Sequence, residues 1–373
     1  MDREMSFVYL DHAALTPMPA GVAEEMTRAA SLYWGHPSAV HASGRRARAR
    51  LEQARDQVAA LVGCPPGQIE WYGSGTEALA EAMRTTLSLA SGPVVCARIE
   101  HPSVLERVAA MEEQGRAVHW LEAPAGEPDP AAVAAATNRG DAVLIFAPLN
   151  HEMGTAPAVW AAPPTAQSAW SIVDAVQAAA WMDLRPYLAD RSWIVVASHK
   201  LGGPPGAAAL RVPPDVDRRR HPAPGQGGMT PWLAAIGMGI ASDLRRAAVI
   251  AAAPAVRAQA TELVRRMQAV VPSIRRNGGA SWLGPILSVS VPGVPGRALE
   301  AALDLRGICI SRTAACRQGS TELAPAVHAA YPGDPTRARE ATRWSLGCET
   351  TPNEIDMALA AWRDAIVGLM PSS

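Results

Sequence analysis

Lys200 follows the apolar run Trp193-Ile194-Val195-Val196 and precedes a turn of small residues, Leu201-Gly202-Gly203-Pro204-Pro205-Gly206. Upstream, Asp174 closes a similar run, Ser171-Ile172-Val173. A lysine at the end of a buried strand can hold an aldehyde cofactor as a Schiff base. A carboxylate beside a pyridine nitrogen keeps that nitrogen protonated, so the ring accepts electrons. The pair therefore suggests a pyridoxal phosphate site. Each half alone has a plainer explanation, because most lysines are solvated surface charges and an Asp after a strand is commonly a turn or cap residue.

Other residues supply what such a site needs. Gly73-Ser74-Gly75-Thr76-Glu77-Ala78 follows Ile69-Glu70-Trp71-Tyr72 and opens an Ala/Leu/Met-rich helix, so its backbone amides and the Thr76 hydroxyl could hold a phosphate at the helix N-terminus. The same segment also reads as a degenerate dinucleotide loop, although no acidic residue stands at the usual distance on a strand end. His101, just beyond the strand-like Val94-Val95-Cys96, could stack on a ring or shuttle a proton, while a lone histidine is commonly structural. The five cysteines, Cys64, Cys96, Cys309, Cys316 and Cys348, form neither a disulfide framework nor a metal-ligand pattern. Most read as core thiols. Cys316 differs, lying in the small-residue stretch Thr313-Ala314-Ala315-Cys316-Arg317-Gln318-Gly319-Ser320 with cations on both sides that favour a thiolate.

The elements that must position these residues alternate. Strand candidates at 94–96, 143–147, 171–173, 193–197 and 207–212 are separated by Ala-rich helical stretches, the pattern of a mostly parallel sheet covered by helices. Asp174 and Lys200 fall at carboxyl ends of strands, where such sheets bind ligands. A long helix near 231–270 leads to further candidates at 286–291, 307–311 and 341–346, which suggest a smaller α/β domain. The expected division is 15–240 and 241–373, with residues 1–14 packing on the smaller part. Proline and glycine cluster at 124–130, 157–164, 213–228 and 292–296, which read as loops.

Bulk properties agree with a soluble two-domain protein. The 373 residues are 49% hydrophobic with a formal net charge of −1, which gives no electrostatic case for nucleic acid. The basic run at Arg45, Arg46, Arg48 and Arg50 is followed by Glu52 and Asp56 at helical spacing and reads as a solvated helix face. No segment approaches a membrane helix in length, and Asp2, Arg3 and Glu4 do not fit a signal peptide, so the expectation is a cytoplasmic protein with no membrane partner.

Taken together, the motifs resemble the cysteine desulfurases, within the class V aminotransferase group of fold type I pyridoxal phosphate enzymes. The resemblance spans nearly the whole chain. It rests on Tyr9-Leu10-Asp11-His12-Ala13-Ala14-Leu15-Thr16-Pro17, Gly35-His36-Pro37-Ser38-Ala39-Val40-His41, the loop at 73–78 and Ile99-Glu100-His101. Asn150-His151-Glu152-Met153-Gly154, Val173-Asp174-Ala175-Val176-Gln177, Ser198-His199-Lys200, Ala315-Cys316 and Arg343-Trp344-Ser345-Leu346-Gly347 complete it. The resemblance implies that Lys200 binds the aldehyde, Asp174 pairs with the pyridinium and Gln177 contacts the ring hydroxyl. It further implies that His101 stacks on the ring, that Gly75, Thr76, Ser198 and His199 hold the phosphate, and that Arg343 grips the substrate carboxylate. Asn150 and His151 would meet substrate, and Cys316 would be the nucleophile. L-Cysteine would yield L-alanine and a persulfide on Cys316, for transfer to an acceptor protein or thiol, in a homodimer.

Three departures stand out. His151 occupies the position where the family usually has an Asn that meets cofactor and substrate. Ala197 and Ser198 replace the usual Ser and Gly of the lysine motif. The glycine-rich segment is shortened to Gly225-Gln226-Gly227-Gly228-Met229-Thr230 and lacks its Arg, which leaves Thr230 as the residue expected to reach the partner's phosphate. The runner-up reading is therefore a related enzyme of the group, such as another C–S lyase, a selenocysteine lyase or an aminotransferase, and the third is a non-catalytic binding partner.

Overall fold

The structure is a computed structural model that describes residues 7–161, 169–222, 231–313 and 323–370. Cys316 and Thr230 lie outside the described residues. Twelve strands occur among them: β1 (Val8–Tyr9), β2 (Ile69–Tyr72), β3 (Val94–Ala97), β4 (Val118–Leu121), β5 (Val143–Phe146), β6 (Trp170–Asp174), β7 (Ser192–Ala197), β8 (Ala208–Arg211), β9 (Arg275–Asn277), β10 (Ile286–Ser290), β11 (Ile308–Cys309) and β12 (Ala341–Ser345).

Seven of them form the main sheet in the order β2-β8-β7-β6-β5-β3-β4. The pairs β3/β4, β3/β5, β5/β6 and β6/β7 are parallel. β3, β5 and β7 are buried along their whole length, as expected of central strands covered on both faces, and this explains why they read as continuous apolar runs. The expected mostly parallel sheet is therefore present. β8 is its exception, antiparallel to both β7 and β2. The connection from β7 to β8 carries only the short turn Ser198–Lys200 and no crossover helix, so β8 returns as a hairpin partner.

A second sheet, β12-β10-β9, is antiparallel throughout. β1 pairs in parallel with β11, which brings the N-terminal segment onto the C-terminal part of the chain. The helix Trp232–Val270 runs unbroken past the expected division at 240/241. It packs along the helix Ala42–Val62. A Cβ on Gly239 would sit 2.7 Å from Ala54 Cα, so only glycine allows that approach. Gly63, at φ 87°, ends the helix Ala42–Val62 in the left-handed conformation that other residues rarely adopt. Among the described residues no helix is long and apolar enough to cross a membrane.

Candidate active site

The carboxyl ends of β6 and β7 open into a cavity of about 240 Å³. Its floor carries Asp174, from the end of β6, and Lys200, from the turn after β7. Lys200 Nζ donates to the carbonyls of Ala13 (2.7 Å) and Ala14 (2.6 Å). Gln177 Nε2 also donates to Ala13, at 2.8 Å. The segment after β1 is thus one wall of the cavity, held by two residues that follow the carboxyl ends of β6 and β7. Asp174 Oδ1 accepts the Val176 N–H at 3.2 Å. Burial, only partly offset by that hydrogen bond and by Lys200, pushes the Asp174 carboxyl up to about 6.

One end of the cavity is the start of the helix Gly75–Leu89. Ser74 caps it by accepting the Glu77 N–H, which leaves the Gly75 and Thr76 amides as first-turn donors beside the Thr76 side chain. His199 lies on the same cavity, and burial followed by the Lys200 charge lowers its pKa to about 4, which leaves its ring neutral in the open cavity near pH 7.

Two further imidazoles line the wall. His101 caps the helix Pro102–Glu113, with Nδ1 accepting the Ser103 N–H at 3.2 Å. Its ring packs edge-on against His151, centroids 5.1 Å apart. Burial holds His151 well below the usual histidine range, and His101, Arg343 and Lys200 push in the same direction. The His151 carbonyl accepts from Arg343 Nη1 at 3.0 Å. Arg343 Nη2 donates to Asp11 Oδ1 (3.0 Å) and Ser311 Oγ (2.8 Å), while Nε is buried without a partner. A guanidinium has five N–H donors. Three are on protein oxygens, and the remaining two, Nε–H and one N–H of Nη1, point away from each other, so the two-pronged carboxylate grip implied by the sequence is replaced here by a single donor at Nε.

Two expected site residues do not line the cavity. Asn150 is buried, and its carboxamide is committed to backbone: Nδ2 donates to Ile99 O at 2.9 Å, and Oδ1 accepts from Glu152 N (3.0 Å) and Met153 N (2.9 Å). It fixes the turn that carries His151 and is not among the residues that line the cavity. Ser198 is fully buried with an unpartnered Oγ, turned toward Gly203, where a Cβ would collide with it. A side chain packed there does not reach a phosphate at the helix Gly75–Leu89. Conversely, Asp11 and Ser311, which hold Arg343, went unnoticed as site residues. The one signal available was the presence of Asp11 within the 9–17 motif.

The donors fit a pyridoxal phosphate group. Amides and a hydroxyl gather at one end, a lysine and a buried carboxyl share the floor, and a partly unpartnered guanidinium stands at the far side.

Residues 8–233 match the family model of aminotransferase class-V. An IscS-like cysteine desulfurase of Mycobacterium tuberculosis is 30% identical over 96% of this chain and 96% of its own length. A cysteine desulfurase of Nostoc sp. is 28% identical over 95% of this chain and 92% of its own. A solved NifS-like protein superposes with a TM-score of 0.85 at 21% identity, covering 98% of this chain and all of the other. A second, from Rickettsia africae, gives 0.81 at 22% identity over 97% of this chain.

Proposed function

The chain belongs to the class-V aminotransferase family, in its cysteine desulfurase branch, and on that premise we propose that it converts L-cysteine to L-alanine and moves the sulfur onto Cys316 as a persulfide. The observation that carries this reading is the cavity itself, which Lys200, Asp174, His101 and Arg343 all line. Pyridoxal phosphate bound there would supply the electron sink that makes the substrate Cα–H acidic and loosens the bonds at Cβ.

Each residue has a task that its environment supports. Lys200 would hold the aldehyde and, when its amine is free, would take and return the proton at the substrate Cα. Asp174 would hold the pyridine nitrogen, whose positive charge would offset the burial that raises its carboxyl. Gln177 has Nε2 on Ala13 and keeps Oε1 for the ring hydroxyl. Gly75, Thr76 and His199 would hold the phosphate, the last through a ring N–H. Arg343 Nε takes the substrate carboxylate. His101 accepts Ser103 N–H at Nδ1, so its neutral ring carries the proton on Nε2 and handles the proton near the substrate thiol. The Cys316 thiolate attacks the substrate sulfur. The S–S bond forms as the Cβ–S bond breaks, and Cβ picks up a proton to complete alanine. The same reading makes the protein a cytoplasmic homodimer that passes sulfur to a protein or thiol, with a cofactor-holding part at 15–240 and a smaller part at 241–373 on which residues 1–14 pack.

One feature favours the second reading, a related C–S lyase, selenocysteine lyase or aminotransferase: His151 lines the cavity where the family usually has Asn. Reconstitution separates the cases. Pyridoxal phosphate added to wild-type protein should give a visible to near-ultraviolet band that Lys200→Ala abolishes without loss of helical circular dichroism, and L-cysteine should then yield alanine. A band that survives Lys200→Ala would contradict the assignment, and turnover of another amino acid in preference to L-cysteine would support the second reading.

A further inference from the structure

Glu152 is only 1% exposed, and no step above uses it. Its Oε1 accepts the Thr313 hydroxyl, and its Oε2 accepts the Ala326 N–H at 2.8 Å. The Val327 N–H also donates to the carboxylate. On its other side, Oε1 lies 4.0 Å from His151 Nε2. The Glu152 N–H donates to Asn150 Oδ1, so the clamp that Asn150 makes within the 150–155 turn also orients Glu152.

One buried carboxylate thus joins three stretches of chain: the cavity wall at His151, Thr313, and the start of the helix Pro325–Ala330. Thr313 and Ala326 stand on either side of residue 316 in the sequence. Burying a carboxylate is costly unless several donors surround it, as they do here, and an apolar side chain in its place would leave the Thr313 hydroxyl and the Ala326 and Val327 amides without this acceptor. What the carboxylate adds is direction, because its two oxygens take donors from opposite flanks.

We propose that Glu152 is a positioning residue: it fixes the separation of Thr313 and Ala326 and ties both to the cavity wall at His151, which sets how Cys316 is presented to substrate. The inference rests on the assignment of Cys316 as sulfur acceptor. A purely structural role, fastening one helix to the turn, would need only Ala326 and Val327.

Thr313→Val separates the two, since it deletes one hydroxyl at nearly constant volume and leaves the carboxylate on the helix amides. In the holoenzyme, kcat for alanine formation from L-cysteine should fall at least about tenfold, with KM within about twofold and the cofactor absorbance unchanged. Adding Glu152→Gln should cost less than Glu152→Gln does alone, the signature of two residues acting through one contact. Hydrogen exchange reads the anchoring without turnover. Peptides covering 306–313 should exchange faster in both variants, and peptides covering 323–331 faster in Glu152→Gln only. Wild-type kcat in Thr313→Val, or exchange at 306–313 unchanged in both variants, would overturn the proposal. A wild type that makes no alanine would contradict the desulfurase reading alone, and the exchange result would still decide whether Glu152 anchors the two flanks.

Discussion

Lys200 and Gln177 share one acceptor: both donate to the carbonyl of Ala13, at 2.7 and 2.8 Å. The N-terminal segment is therefore a working wall of the cavity. Gln177→Leu removes one of the two donors from a buried carbonyl and should lower stability by about 1 kcal/mol, the usual net worth of such a bond. Urea midpoints would measure it, and an unchanged midpoint would mean that the Ala13 contact contributes nothing.

Asp174 gives a prediction whose sign depends on pH. Its carboxyl is raised from 3.8 to about 6, so between those values the folded protein binds more protons than the unfolded chain. Stability from this group is complete below about 4 and is lost as pH rises through 6. Without added cofactor, Asp174→Asn should therefore be more stable than wild type at pH 7.5, by on the order of 2–3 kcal/mol at most, and equal to it near pH 4. With pyridoxal phosphate the order should reverse, because the amide cannot pair with a pyridinium. Melting temperatures with and without the cofactor test both halves.

His199 acts in the opposite direction over a similar range. Its pKa is lowered from 6.5 to about 4, so the unfolded chain binds more protons there, and its contribution makes stability fall as pH drops from 6.5 toward 4. His199→Gln should flatten that decline by on the order of 2–3 kcal/mol across the window. Denaturant titrations of both proteins at pH 5 and pH 7 suffice, and equal pH dependence would mean that His199 titrates alike in the folded and unfolded protein.

Arg343 is held by acceptors on three separate segments, His151, Asp11 and Ser311. An ammonium cannot meet all three and still present a donor to a substrate carboxylate. Arg343→Lys should raise KM for L-cysteine by about tenfold or more while the cofactor absorbance stays as in wild type. Steady-state kinetics with a spectrum of each preparation would check this.

The parts of the site that could be read from sequence lie at strand ends next to long apolar runs. Lys200 and Asp174 fall there because β6 and β7 are interior strands, whose burial on both faces writes itself into composition. β9 could not be read this way. It is Arg-Arg-Asn, and it exists because Arg275 pairs with Asp334 and Glu340 while Asn277 bonds Ser288 and Ser290, contacts between residues distant in sequence. That Asn150 and Ser198 stand apart from the cavity lining could not be read either, for a related reason: residue type alone does not reveal that a side chain is already committed to backbone or turned into packing. The Glu152–Thr313 contact spans 161 positions and leaves no local pattern at all.

The central claim, that Cys316 receives sulfur from L-cysteine, is tested most directly by incubating the protein with pyridoxal phosphate, L-cysteine and a reductant and quantifying alanine and sulfide together, in wild type and Cys316→Ala. Equal amounts of both products from wild type, lost in the variant, are expected. Turnover indifferent to Cys316, or no alanine from wild type, would contradict it.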